Sequence, residues 1–215
     1  MQECVFETKS GRRLDYLLYR TAEEGRAALP LIVYLHGADG RGDDIKTLLR
    51  IESIPRYIEE GKVCLPRDAM VIAPQCPAGM NWAKLADEVV ELVQYAVSEL
   101  GADARRVSLT GVSLGGMGTF DIAIKYPEVF SCLVPVCASV DAKQCAVLAV
   151  LPVWIFHGEL DTGMGFSAVE ANAVIQNAGG NCKLTLLPGE GHEIRWIYYS
   201  EQFHIMDWML AQQRG

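Results

Sequence analysis

The sequence has no basic surplus. Nineteen Lys and Arg stand against 27 Asp and Glu, a formal net charge of −8. Nucleic acid and anionic membrane are therefore poor partners, because no basic patch offsets the repulsion. Long apolar runs are also missing: the stretch 145–151 stops at Pro152, far short of the roughly 20 residues that cross a bilayer. Residues 1–7 lack the basic start and apolar core of a signal peptide. The expectation is a cytoplasmic protein, or a secreted one if a leader has been removed. Repeats, low-complexity tracts and Pro/Ser-rich linkers are lacking, and charged residues make up only 21% of the chain. That composition argues against disorder. None of the seven cysteines forms a C-x-x-C motif. Several sit in apolar runs, as reduced thiols used as small apolar residues would. No His/Cys/Asp cluster with metal-ligand spacing is visible in the sequence, so no metal is expected. Nothing in the pattern fixes an oligomeric state.

What is present is alternation. The length of 215 residues suits a single domain spanning 1–215. Short apolar segments at 31–35, 70–73, 106–110, 131–137, 153–156 and 183–187 read as strands, several of them buried on both faces. Segments 5–7 and 14–19 flank Ser10-Gly11 as an opening antiparallel hairpin. Helices are expected between the strands. Leu85, Val89, Leu92, Val93, Ala96, Val97 and Leu100 form one apolar stripe before Gly101. Further helices are expected over 115–126, 166–178 and 198–212, with 45–61 helical but interrupted at Pro55. Strands alternating with helices imply an α/β fold with a mostly parallel sheet covered on both faces. Reactive groups in such sheets gather at the carboxyl ends of the strands.

Gly111-Val112-Ser113-Leu114-Gly115 lies between the strand 106–110 and the helix 115–126. In that context G-x-S-x-G forms a sharp turn that lifts the serine hydroxyl above the sheet, beside a helix N-terminus. An ordinary glycine-rich turn is the bland alternative. A serine nucleophile needs a base, and the chain has four histidines, His36, His157, His192 and His204. His192 follows the strand 183–187 in a loop, and so meets the required chain order of serine, acid, histidine. His204 falls inside the expected last helix. His36 and His157 each end a strand and precede a glycine, and His36 is expected to brace its loop. Asp161, after the strand 153–156, can hold the imidazole tautomer, with Glu159 and Glu190 as competing loop acids. The backbone N–H groups of Ala38 and Leu114 are candidate oxyanion donors. Gln75, Cys76 and Trp82 lie past a strand end and are candidates for lining the substrate site; packing is the equal alternative.

Five segments in order carry a resemblance: 34–44 (YLHGADGRGDD), 73–77 (APQCP) with Trp82, 109–119 (LTGVSLGGMGT), 153–158 (VWIFHG) with Asp161, and Gly191-His192. Together they resemble the α/β-hydrolase serine esterases, in particular the carboxylesterase/phospholipase and feruloyl-esterase-like ("predicted peptidase") group. The resemblance implies Ser113 as nucleophile, Asp161 as acid and His192 as base, with Ala38 and Leu114 at the oxyanion hole and no cofactor. The chain departs from the group at Met164-Gly165, where a Val-Pro pair is usual, and at Trp196, which arrives late after His192. No helical lid is expected between Val140 and Leu151. The implied activity is hydrolysis of short-chain or aromatic acyl esters, including those on plant carbohydrate. A peptidase or thioesterase would use the same three residues, and a non-catalytic binding protein of the same fold is the alternative from another class.

Overall fold

The computed structural model describes residues 1–22 and 28–215. Eight strands form one sheet: β1 (Gln2–Glu7), β2 (Arg13–Arg20), β3 (Leu29–Leu35), β4 (Met70–Pro74), β5 (Ala102–Val112), β6 (Cys132–Val136), β7 (Val153–Gly158) and β8 (Cys182–Leu187). Their spatial order is β1-β2-β4-β3-β5-β6-β7-β8. β1 pairs with β2, and β2 with β4, antiparallel; every later pairing is parallel. The helices are α1 (Thr47–Arg50), α2 (Ile54–Glu59), α3 (Ala86–Ser98), α4 (Leu114–Lys125), α5 (Ser167–Asn177) and α6 (Ile205–Ala211). None is long and apolar enough to cross a membrane.

Alternation along β3 shows why both faces need cover. Leu31, Val33 and Leu35 join the core that contains Val89, Leu92 and Val93 of α3 and Phe120 of α4. Ile32 and Tyr34 join the opposite core, with Leu48 of α1, Ile54 of α2 and Met209 of α6. Side chains two apart share a face, so a continuous apolar strand feeds two layers at once. Each fully buried Leu or Ile contributes roughly 1.5–3 kcal/mol. The edges differ: β1 is exposed or half-buried throughout, and β8 is buried only at its ends, Cys182 and Leu187.

Two helix expectations need correction. The segment 45–61 is not one helix broken at Pro55. It is α1 followed by α2, with Pro55 in the first turn of α2 and Ser53 as N-cap, its hydroxyl accepting from the Arg56 N–H. Proline lacks the N–H that a first turn leaves unused, so it starts this helix rather than interrupting it. The expected helix 198–212 is also divided. A 3-10 turn (Arg195–Tyr199) ends at Ser200, whose carbonyl accepts from the Phe203 and His204 N–H groups and whose hydroxyl accepts from the Gln202 N–H. His204 then takes a left-handed φ of 49° as N-cap of α6. A serine that bonds its own downstream backbone competes with helix continuation. Ala142–Val150 forms a nine-residue 3-10 segment packed on α4 and α5.

Candidate active site

β5 passes into α4 through Ser113, at φ 57° and ψ −118°. A residue with a Cβ is strained there, and the surroundings must hold it. The flanking glycines explain how. A Cβ on Gly115 would stand 1.8 Å from the Leu35 carbonyl oxygen, and one on Gly111 2.4 Å from the Gly115 oxygen. The Ser113 N–H donates to the Val136 carbonyl at 2.9 Å, which ties the turn to β6. Ser113 is partly exposed at the N-terminus of α4.

The base and acid come from neighbouring loops bound to each other. The Glu159 N–H donates to Leu187 O at 3.0 Å, the Leu160 N–H to Glu190 O at 2.8 Å, and the Gly189 N–H to the Glu159 carboxylate at 3.0 Å. This pairing brings His192 over Asp161, whose Oδ2 accepts from His192 Nδ1 at 2.7 Å. Asp161 is buried and His192 is about one-third exposed, at 32% for its side chain. The other Asp161 oxygen accepts from the Met164 N–H at 3.4 Å, so Met164 braces the acid where the resemblance would place Val-Pro. Of the three candidate acids, Asp161 is the one paired with His192; Glu159 caps the Gly189 amide instead. Nδ1–H toward the carboxylate leaves His192 Nε2 as acceptor, the form a general base needs. Among the described residues Ser113 Oγ makes no hydrogen bond.

The Ala38 and Leu114 N–H groups have no acceptor among the described residues. Ala38 opens a 3-10 turn held by His36. Cys76 N–H donates to His36 Nε2 at 2.9 Å, and His36 Nδ1 donates to Gly37 O at 2.6 Å. Burial depresses the His36 pKa to about 4, partly offset by the Gly37 bond. His36 is thus a neutral brace and spends both nitrogens on backbone.

The substrate-lining expectation for Gln75, Cys76 and Trp82 is corrected. Trp82 and Cys76 are both 0% exposed. Trp82 donates from Nε1 to His36 O at 3.0 Å and packs edge-on against the His36 ring. Gln75 is buried and donates to the Gly40 and Asp44 carbonyls. All three hold the segment 36–44, which carries Ala38.

Three residues escaped the sequence reading. Arg195, 7% exposed, donates to Asp39 at 3.1 Å and to Glu193, and so joins the loop of Ala38 and Asp39 to the His192 loop. No sequence signal marks it. Cys137, at a strained φ of 45°, directly follows β6, and His157 is the penultimate residue of β7, so their strand-end positions were a signal. With Asp161 they form a buried Cys/His/Asp cluster whose ligand atoms lie within 4.8 Å of one another. The expectation that no such cluster exists is therefore corrected: its members are 20 and 4 residues apart in sequence, and only the parallel pairing of β6 with β7 joins them. Burial pushes the Cys137 thiol up to about 12, which keeps it protonated and unsuited to nucleophilic attack.

The sheet order, the strained strand-to-helix turn and the functional loops at carboxyl strand ends define the α/β-hydrolase fold. Residues 81–147 match the model of the prolyl oligopeptidase family. A curated relative, feruloyl esterase B of Neurospora crassa, is 32% identical over 107 residues, which is 46% of this chain and 36% of the relative. The match thus spans about a third of that protein's length. Among solved structures, a thermostable esterase superposes with a TM-score of 0.82 at 23% identity, over 99% of this chain and 63% of that one. A ferulic acid esterase superposes with a TM-score of 0.72 at 14% identity, over 97% and 96%.

Proposed function

We propose that this chain is a serine carboxylesterase acting on short-chain or aromatic acyl esters, feruloyl and acetyl esters of plant carbohydrate included. The observation that carries the reading is the 2.7 Å pair of His192 with buried Asp161 past the ends of β8 and β7, with the strained Ser113 past the end of β5 in the same parallel sheet. Ser113 Oγ attacks the ester carbonyl as His192 Nε2 takes its proton. Asp161 steadies the imidazolium, and the Ala38 and Leu114 N–H groups hold the oxyanion. His192 then protonates the departing alcohol, and water repeats the sequence on the acyl-enzyme. The similarity to a feruloyl esterase supports an aromatic acyl group. Ser113→Ala lowers turnover of p-nitrophenyl acetate and methyl ferulate by about 10⁴-fold or more, with circular dichroism unchanged. Wild-type turnover by that variant would refute the assignment.

The match of residues 81–147 to the prolyl oligopeptidase family favours a second reading, a peptidase on the same residues. Rates on esters and on aminoacyl amides of matched acyl group, measured side by side, separate the two.

A further inference from the structure

Three donor groups of different chemistry meet beneath the loop that carries Asp161. A Cys137 sulfur, a His157 ring nitrogen and an Asp161 oxygen lie within 4.8 Å of one another, and all three residues are buried. His157 Nε2 stands 4.0 Å from Asp161 Oδ2. His157 is 0% exposed, yet neither of its ring nitrogens has a hydrogen-bond partner. A buried polar group left unsatisfied costs about 1–3 kcal/mol, so a fold that keeps one calls for an explanation. Asp161 has lone-pair capacity beyond its bonds from His192 Nδ1 and the Met164 N–H, and the neighbouring Cys137 thiol already draws on it.

We propose that Cys137, His157 and Asp161 form a binding site for a zinc-class divalent cation, and that its occupancy suppresses hydrolysis by drawing the Asp161 carboxylate away from His192. The suppression rests on the serine esterase reading; the binding does not. Sulfur, imidazole nitrogen and carboxylate oxygen together suit zinc, whereas calcium and magnesium take sets made of oxygen. Tetrahedral bonds of about 2.0–2.3 Å place ligand atoms roughly 3.3–3.8 Å apart. The cluster therefore contracts by about 1 Å at its widest pair, and water fills the fourth position. Thr162, Gly163 and Phe166, in the loop that follows Asp161, are exposed. Binding releases the Cys137 thiol proton to solvent and breaks no other covalent bond. With its charge shared by the metal, Asp161 no longer stabilises the His192 imidazolium.

The test uses the full chain and Zn²⁺ alone, in competition with a chromophoric chelator, alongside Co²⁺ absorption spectra. The expected result is one Zn²⁺ per chain and a thiolate-to-cobalt charge-transfer band. Ester turnover falls at least tenfold with bound zinc and returns on adding EDTA. Cys137→Ala loses the cobalt band and binds zinc at least tenfold more weakly. His157→Gln, as a second variant, covers the case in which the alanine variant misfolds. Ser113→Ala binds zinc as wild type does, so failure of the esterase reading shows in turnover and failure of this site shows in binding. Absence of stoichiometric binding, or undiminished binding by both cluster variants, overturns the site. Binding without loss of turnover overturns the suppression.

Discussion

Burial holds the His36 ring neutral, and that makes one imidazole a term in acid stability. Its pKa falls from 6.5 to about 4 on folding, chiefly through desolvation. The unfolded chain therefore takes up a proton before the folded one does. The stability tied to neutral His36 is full above about pH 6.5 and is lost as pH falls from there through about 4. Up to about 3 kcal/mol is at stake over that window. We expect His36→Gln to be less stable than wild type at pH 7, with the gap narrowing toward pH 4. Urea denaturation at a series of pH values measures it, and a constant gap would remove His36 from the account. The roles of single residues were unevenly legible. The pairing of Asp161 with His192 and the strained turn at Ser113 were legible, because strand-end positions and the G-x-S-x-G spacing mark them in the sequence. Gln75, Cys76 and Trp82 met the same positional criterion yet turn inward, because position along a strand says where the backbone leaves and not which way a side chain points. Arg195 carries no pattern at all: its two carboxylate partners are 156 and 2 residues away.

Between elements, the close approach of β7 to the His192 loop sets the site. A Cβ on Gly158 would stand 2.0 Å from Gly191 O and 2.7 Å from Glu190 O, both backbone atoms that no rotamer change can move. Gly158→Ala must push the whole loop outward, together with His192. A displacement near 1 Å costs about 10²-fold in rate, and the overpacking costs about 1–3 kcal/mol. Gly191 is the internal control: it adjoins His192, yet a Cβ there meets nothing within 4 Å and its φ is ordinary. Gly191→Ala is expected to keep turnover within a few-fold of wild type and Gly158→Ala to lose about 100-fold, as read by steady-state rates and thermal melts. Equal effects would show that the contact does not position the base. At this scale the eight strands and the stripe of α3 were legible from periodicity. The division of 45–61 and of 198–212 was not, because Pro55 and Ser200 act through local hydrogen bonds that an apolar pattern does not register.

For the molecule as a whole, alternation of strands and helices made the parallel sheet legible. The insertion of β2 between β1 and β4 was not, since it rests on pairing between residues distant in sequence, from Arg20 with Met70 to Tyr16 with Pro74. Charge is the other global property, and it bears on substrate choice. The net charge is −8, and the loops that carry Ala38, Asp161 and His192 share its sign: Asp39, Asp43, Asp44, Glu159 and Glu193 are exposed there. Two cations nearby are already engaged, Arg195 by Asp39 and Glu193, and Arg50 by Asp44. A field of this kind lowers the local concentration of an approaching anion and leaves a neutral ester unaffected. Screening removes it, because the Debye length falls from about 30 Å at 0.01 M to about 3 Å at 1 M ionic strength. The expected outcome is a kcat/KM that is flat with salt for methyl ferulate. For an ester whose alcohol carries a free carboxylate, kcat/KM rises severalfold over that range and the gain lies in KM. If the anionic ester is instead preferred at low salt and weakened by added salt, a cation such as Arg41 reads the carboxylate locally, and repulsion by the acidic rim does not govern selection.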